Sequence, residues 1–353
     1  MKYLSYQIRF EVREMEIFKK MTHKTDIVVI GAGPVGLFTI FEAGTLKLKC
    51  HVVDSLEHIG GQCSALYPEK PIYDIPALPK ILASELIDNL EEQSKRFDPV
   101  YHLNQRVQKL EKVDDGYIVE TSIGTRIECS AVIIAAGCGA FGPNRPPLAG
   151  LEEYEGKSIF YSVRAKNLFE GKNVVIAGGG DSAVDWVLSL ADVANKVSLV
   201  HRRDKFRCSP DSADQLKVLA DSGKIDLITP FQLDGLEGEN GQLKKVLVKD
   251  FSGEIKEIEA DYLLPFYGLA MDLGPIANWG LGLDKNHIAI ADPTTMKTSE
   301  DRIYAVGDVA TYKNKLKLIL SGFAEAASAC YDINKIVNAN EVFHFEYSTS
   351  KFN

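Results

Sequence analysis

The sequence predicts an α/β protein built from two Rossmann-like three-layer domains, the second inserted into the first. Three observations carry that expectation. The apolar run Ile27-Val28-Val29-Ile30 enters Gly31-Ala32-Gly33-Pro34-Val35-Gly36, and Val174-Val175-Ile176-Ala177 enters Gly178-Gly179-Gly180-Asp181-Ser182-Ala183. Each reads as a strand, a glycine turn and the start of a helix. The third is a late strand-like run, Arg302-Ile303-Tyr304-Ala305-Val306-Gly307-Asp308, as if the first domain resumes after an insertion.

Taken in order, residues 1–20 precede a second methionine, Met21. Leu4, Tyr6, Ile8, Phe10 and Val12 alternate with polar residues, which fits a short strand; the segment equally fits an upstream start or a dispensable extension. The first domain is expected over 21–144. It closes on the buried-strand pattern Ala131-Val132-Ile133-Ile134-Ala135-Ala136-Gly137, followed by Gly142-Pro143-Asn144-Arg145-Pro146-Pro147, loop-forming residues that suit a crossover. The second domain is expected over 145–270, ending in Tyr262-Leu263-Leu264-Pro265-Phe266-Tyr267-Gly268. The first then resumes over 271–338 with an alanine-rich helix from Ser321 to Ile336. Residues 339–353 are too aromatic for a disordered tail and should pack on something.

The two glycine turns differ in charge where a ribose would be read. In a βαβ unit the glycines let a pyrophosphate approach the helix N-terminus, whose free N–H groups and dipole hold the anion. The residue 23 positions after the first glycine is Asp54 in one copy and His201 in the other, where Arg202 and Arg203 follow. A carboxylate there accepts hydrogen bonds from a free ribose 2′-OH, as in FAD or NAD, whereas arginine pairs with a 2′-phosphate. Gly31, Gly33, Pro34, Gly36 and Asp54 are therefore candidates for the first nucleotide. Gly178, Gly180, Asp181, Ser182, Ala183, Arg202, Arg203 and Arg207 are candidates for NADPH. Asp308 brings a carboxylate to the edge of the sheet where ligands of open α/β folds collect, although an aspartate there also turns a loop.

Composition narrows the class. With 353 residues the chain has room for two full cores, and 45% hydrophobic with 25% charged residues is ordinary for a globular protein. The net charge of −9 argues against a general nucleic-acid binder. No apolar run reaches the roughly 20 residues that span a bilayer, and the N-terminus lacks a signal-peptide core, so the cytoplasm is the default expectation. Cys50, Cys63, Cys129, Cys138, Cys208 and Cys330 are scattered without metal-ligand or disulfide-framework spacing.

These motifs together resemble the two-dinucleotide flavoproteins of the thioredoxin reductase type. More narrowly, Gly60-Gly61-Gln62-Cys63-Ser64-Ala65-Leu66-Tyr67-Pro68-Glu69-Lys70, Asn278-Trp279-Gly280-Leu281 and Ser348-Thr349-Ser350 resemble the thioredoxin-reductase-like (type 2) ferredoxin–NADP⁺ reductase family. The resemblance covers nearly everything after Met21. It implies one noncovalent FAD per chain, NADPH as substrate, a homodimer, and electron transfer from NADPH through flavin to ferredoxin or flavodoxin. It implies no acid–base side chain for the hydride step.

Residue by residue, it implies that Gly31, Gly33, Pro34 and Gly36 cradle the FAD pyrophosphate and Asp54 holds the adenosine ribose. Gln62 approaches the flavin end, Val107 lies beside the adenine, Phe141 packs close to the cofactor, and Asp308 bonds the ribityl-pyrophosphate portion. Tyr67 stacks on one isoalloxazine face, and the tail covers the other with Tyr347 stacked and Ser348 or Thr349 at the polar edge. Two rivals remain, a thioredoxin-like disulfide reductase and a nucleotide-sensing module that does not turn over. Against the first, Ser158 to Asn167 holds no C-x-x-C, and Pro68 stands five residues after Cys63, where relatives carry a second thiol. Lys313, Lys315 and Lys317 are the candidates for docking an acidic ferredoxin, with a solvated loop as the alternative.

Overall fold

Where apolar residues run continuously, the strand is buried on both faces, and the first glycine turn is entered from such a strand. The computed structural model describes residues 22–139 and 142–339. In it β1 spans Thr22–Ile30, longer than its apolar half suggests. Ile27 to Ile30 pair on both sides, with Cys50–Val53 (β2) and with Arg126–Ile134 (β6), whereas Thr22 to Thr25 pair with β6 alone. The half paired on one side keeps polar residues at its free edge and so carried no hydrophobic signal.

Helix α1, Pro34–Thr45, starts from Gly33 as N-cap, with proline at a first-turn position where no N–H is needed. After β2 come a one-turn helix α2 (Gln62–Ala65), helix α3 (Ala83–Lys95) and strand β3 (Val100–His102). A meander of β4 (Val107–Val113), β5 (Gly116–Thr121) and β6 follows. The sheet runs β3-β2-β1-β6-β5-β4, parallel through β6 and antiparallel in the meander.

The chain then enters a second compact unit, formed by 142 to Ala270 together with Leu66–Glu69. Its entering and leaving segments, β7 (Gly142–Pro143) and β15 (Leu269–Ala270), pair antiparallel, so the expected loop begins with a two-residue strand. Between them lie β8 (Asn173–Ala177), α4 (Asp181–Leu190), β9 (Lys196–Val200), α5 (Pro210–Asp221) and β10 (Ile225–Ile228). An antiparallel sheet of β11 (Gln232–Glu239), β12 (Gln242–Lys249) and β13 (Ile255–Glu259) and the parallel strand β14 (Tyr262–Pro265) complete it. The parallel sheet has the order β10-β9-β8-β14.

Period-two alternation in these strands builds three layers. Val174, Ile176, Val197, Leu199 and Leu264 pack with Val184, Val187 and Leu190 of α4 and Leu216 of α5. Their neighbours Val175, Ala177, Val200 and Leu263 pack with Val246, Val248 and Ile258 of the antiparallel sheet. The chain finally returns to the first unit. Strand β16 (Ile303–Ala305) adds parallel to the carboxyl half of β6, and helix α6 (Ile319–Val337) packs on α1. Two Rossmann-like α/β units, one interrupting the other in sequence, are the fold class expected from the glycine turns.

Candidate functional site: two glycine turns

The first turn is shaped by what its glycines exclude. Gly31 has φ +109°, and a Cβ there would collide with the Ala135 carbonyl at the end of β6. At Gly33 the situation is reversed: there is space for a Cβ, whose nearest neighbour would be Gly61 Cα in ordinary contact at 3.9 Å. That space lies at the N-terminus of α1, where a pyrophosphate fits. Gly60 N–H donates to Ala32 O at 2.8 Å, which brings Gly60-Gly61-Gln62 over the turn.

Asp54 is tied to the same turn. Its Oδ2 accepts from Ala32 N–H at 2.6 Å and its Oδ1 from Leu56 N–H at 2.8 Å, and the residue is 9% exposed. Burial pushes its carboxyl above the ordinary range, and the N–H groups of Ala32, Leu56 and Ser55 oppose that shift. The Asp54 carbonyl accepts from Gln105 N–H, so the segment leading to buried Val107 starts beside it. Gln62 Nε2 stands 3.5 Å from Cys138 Sγ. After burial, the Asp308 charge is the largest influence raising the Cys138 thiol, so Asp308 lies in the same neighbourhood. The first unit thus gathers the glycine turn, Asp54, Gln62 and Asp308 at the carboxyl edge of its sheet.

In the second unit Gly178 repeats the constraint of Gly31, with a Cβ there crowding the Phe266 carbonyl, and Gly180 repeats the opening of Gly33, its nearest neighbour being Arg207 O at 4.0 Å. Asp181 and Ser182 are exposed and Ala183 is buried at the start of α4. Asp181 Oδ1 accepts from Ser209 N–H at 3.2 Å, and Arg207 N–H donates to Gly179 O at 2.6 Å, folding the 201–209 loop back onto the turn. The His201 ring fills the place a Gly179 side chain would need and tilts on Phe206, with centroids 5.3 Å apart. Burial lowers the His201 pKa, and the charges of Arg202, Arg207 and Arg203 lower it further. His201 is thus a packing ring. The three arginines are exposed, and among the described residues none makes an ion pair.

Tyr67 belongs to the second unit, half-buried against its α4 core, where Glu69 accepts from Lys166 N–H at 2.8 Å. Phe141, Tyr347, Ser348 and Thr349, with the 1–20 extension and all but the first residue of the 339–353 tail, lie outside the described residues. The lysine expectation needs correction. Lys313 and Lys317 are exposed, but the Lys315 side chain is 4% exposed and its Nζ is ion-paired with buried Glu325, so it cannot dock a partner. Sequence reading missed Glu325 because one charge in an alanine-rich helix looks solvent-facing.

The six cysteines are free thiols. Burial pushes Cys50 and Cys129 up to about 12, far from the thiolate form that attacks disulfides. No helix among the described residues is long and apolar enough to cross a membrane.

Residues 25–326 match the pyridine nucleotide-disulphide oxidoreductase family. The chain is 58% identical over 330 residues to a ferredoxin–NADP reductase of Wolbachia pipientis wMel, spanning 93% of this chain and 97% of that one. It is 57% identical to the protein of that name from Paramagnetospirillum magneticum, spanning 93% and 97%. Among solved structures, Lactococcus lactis thioredoxin reductase superposes with a TM-score of 0.77 at 24% identity, covering 89% of this chain and 99% of that one. Thioredoxin reductase of T. acidophilum gives 0.76 at 22% identity, covering 90% and 100%. At such identity the likeness is one of fold. The chain therefore belongs to the pyridine nucleotide-disulphide oxidoreductase family, among the relatives that carry the ferredoxin–NADP reductase name.

Proposed function

We propose that the chain transfers electrons between NADPH and a one-electron carrier, ferredoxin or flavodoxin, through one noncovalent FAD. The observation that carries this reading is the contrast between the two turns. A buried carboxylate tied to the first turn suits a free ribose; three exposed arginines around the second, without an ion pair among the described residues, suit a 2′-phosphate. In this reading residues 21–144 and 271–338 hold FAD, and 145–270 holds NADPH.

A flavin accepts a hydride and passes electrons on singly, which is the chemistry this exchange requires. The chain supplies binding and orientation. Gly31, Gly33, Pro34 and Gly36 leave room for the FAD pyrophosphate, Asp54 takes the ribose hydroxyl, and Gln62 and Asp308 stand on the flavin side. Gly178 and Gly180 with Ser182 present the second helix N-terminus to NADPH, while Arg202, Arg203 and Arg207 select its phosphate. Burial of Cys50, Cys63, Cys129 and Cys330, with the Cys50 and Cys129 thiols pushed up by it, favours direct exit of electrons to the carrier over a dithiol relay. The reading extends to a tail, 339–353, over one flavin face, to Tyr67 on the other, and to a cytoplasmic homodimer. A flavin spectrum unaltered by truncation at residue 339, or a monomer by light scattering, would remove the corresponding addition.

The reading is tested by anaerobic mixing. NADPH is expected to bleach the bound flavin, and oxidised ferredoxin to restore its absorbance within the turnover time. Bleaching that neither ferredoxin nor flavodoxin reverses would instead favour a nucleotide-sensing module.

A further inference from the structure

Strand β16 delivers its last ladder hydrogen bond at Val306, whose N–H donates to Ile134 O at 2.9 Å. The next N–H, that of Gly307, has left the sheet and is buried, where an unpaired donor is costly. Glu325 Oε2 on α6 accepts it at 2.7 Å. Gly307 has φ +74°, a conformation suited to glycine, and from there the short 3₁₀ turn Gly307–Val309 presents Asp308. Asp308 is half-buried, and among the described residues its carboxylate accepts no hydrogen bond.

The other oxygen of Glu325 is equally committed. Oε1 accepts from Tyr312 Oη at 2.6 Å and is ion-paired with Lys315 Nζ, which also lies 5.5 Å from the centre of the Tyr312 ring. The side chains of Glu325 and Lys315 are 5% and 4% exposed. A buried pair of this kind recovers its desolvation cost only when its geometry is well satisfied, so it is weak evidence for stability and better evidence for fixing a conformation. The neighbours of Glu325 one turn away on α6 are small, Ser321, Gly322, Ser328 and Ala329, and an apolar residue would have served packing alone.

We propose that Glu325 is a positioning residue of the FAD site: anchored by Lys315 and Tyr312, its carboxylate holds the backbone of the Gly307-Asp308 turn and so sets where the free Asp308 carboxylate stands. This rests on the reading that the first unit binds FAD. Lys315 belongs to the frame behind the site, and Asp308 to the ligand side. The frame acts on affinity for the ribityl-pyrophosphate portion through Asp308 alone, so removing either residue should remove the same contact.

The test is a double-mutant cycle read by FAD binding to apoprotein, followed by flavin fluorescence, with NADP⁺ affinity as the control. Asp308→Asn and Glu325→Ala are each expected to weaken FAD by about tenfold or more, and the double variant little further, because the effects share one contact. Glu325→Gln, whose amide oxygen still accepts the Gly307 N–H, should recover part of the loss, and Lys315→Met should reproduce part of it. NADP⁺ affinity should not change. Fully additive losses, or variants with lowered thermal stability and unaltered FAD affinity, would overturn the positioning role. Should Glu325→Ala not fold, Glu325→Gln and Lys315→Met, each combined with Asp308→Asn, supply the same cycle. A wild-type chain that binds no FAD overturns the reading beneath it.

Discussion

Asp54 and Arg202 occupy nearly equivalent places in two copies of one unit, and in the proposed reading their opposite charges separate the two nucleotides. The Asp54 main-chain N–H donates to His102 O, and the His201 N–H donates to Ile228 O, so both chains turn off the strand in the same way. Replacing Arg202 and Arg203 together by alanine removes the two proposed charge-assisted contacts, worth on the order of 1.5–3 kcal/mol each. NADPH affinity is expected to fall at least tenfold with NADH little changed, as measured by titration of the flavin charge-transfer or quenching signal. Equal losses for both would show that the arginines shape the loop. The placement of the glycines, Asp54 and these arginines at the two turns was legible in the sequence because it follows from spacing along one strand–turn–helix. Glu325 and Lys315 were not, because burial of a charge depends on what α6 packs against.

Among elements, the β2–β3 edge that supports Asp54 carries a second dependence on chemistry. His51 Nδ1 and His102 Nε2 lie 3.0 Å apart, one donating and one accepting, with the His23 ring 5.4 Å and 5.2 Å from theirs. Both His51 and His102 are buried. Burial, then His102 and His23, pulls His51 from 6.5 down to about 4, and burial followed by His23 lowers His102. The unfolded chain therefore binds more protons as pH falls through this window. The contribution of His51 to stability is full above about 6.5 and declines toward pH 4, by about 1.4 kcal/mol per pH unit for each proton taken up on unfolding. The variant His51→Gln with His102→Gln should flatten thermal stability between pH 7 and 5; an unchanged slope would place the acid sensitivity elsewhere. Strands paired on both sides were plain in the sequence, as at Ile27–Ile30. The polar half of β1 and the two-residue strands β7 and β15 were not, since edge and two-residue pairing leaves no apolar periodicity.

For the whole molecule, the order of the glycine turns and the late Gly307-Asp308 strand made the interrupted architecture readable, because both mark carboxyl ends of parallel strands. What electrons do after reaching a flavin is less visible in sequence, since a missing thiol pair is informative only once the fold is known. Cys63 and Cys330 are buried, and Cys138 touches Gln62. A relay through cysteine would need thiolates that burial opposes. The most direct measurement is steady-state NADPH oxidation by the protein with all six cysteines changed to serine, checked for bound FAD, with ferredoxin and thioredoxin supplied as alternative acceptors. Turnover with ferredoxin within a few-fold of the wild-type rate and none with thioredoxin is the expected result. Loss of ferredoxin reduction in a folded, FAD-loaded variant, or thioredoxin reduction by the wild type, would contradict direct transfer from flavin to carrier.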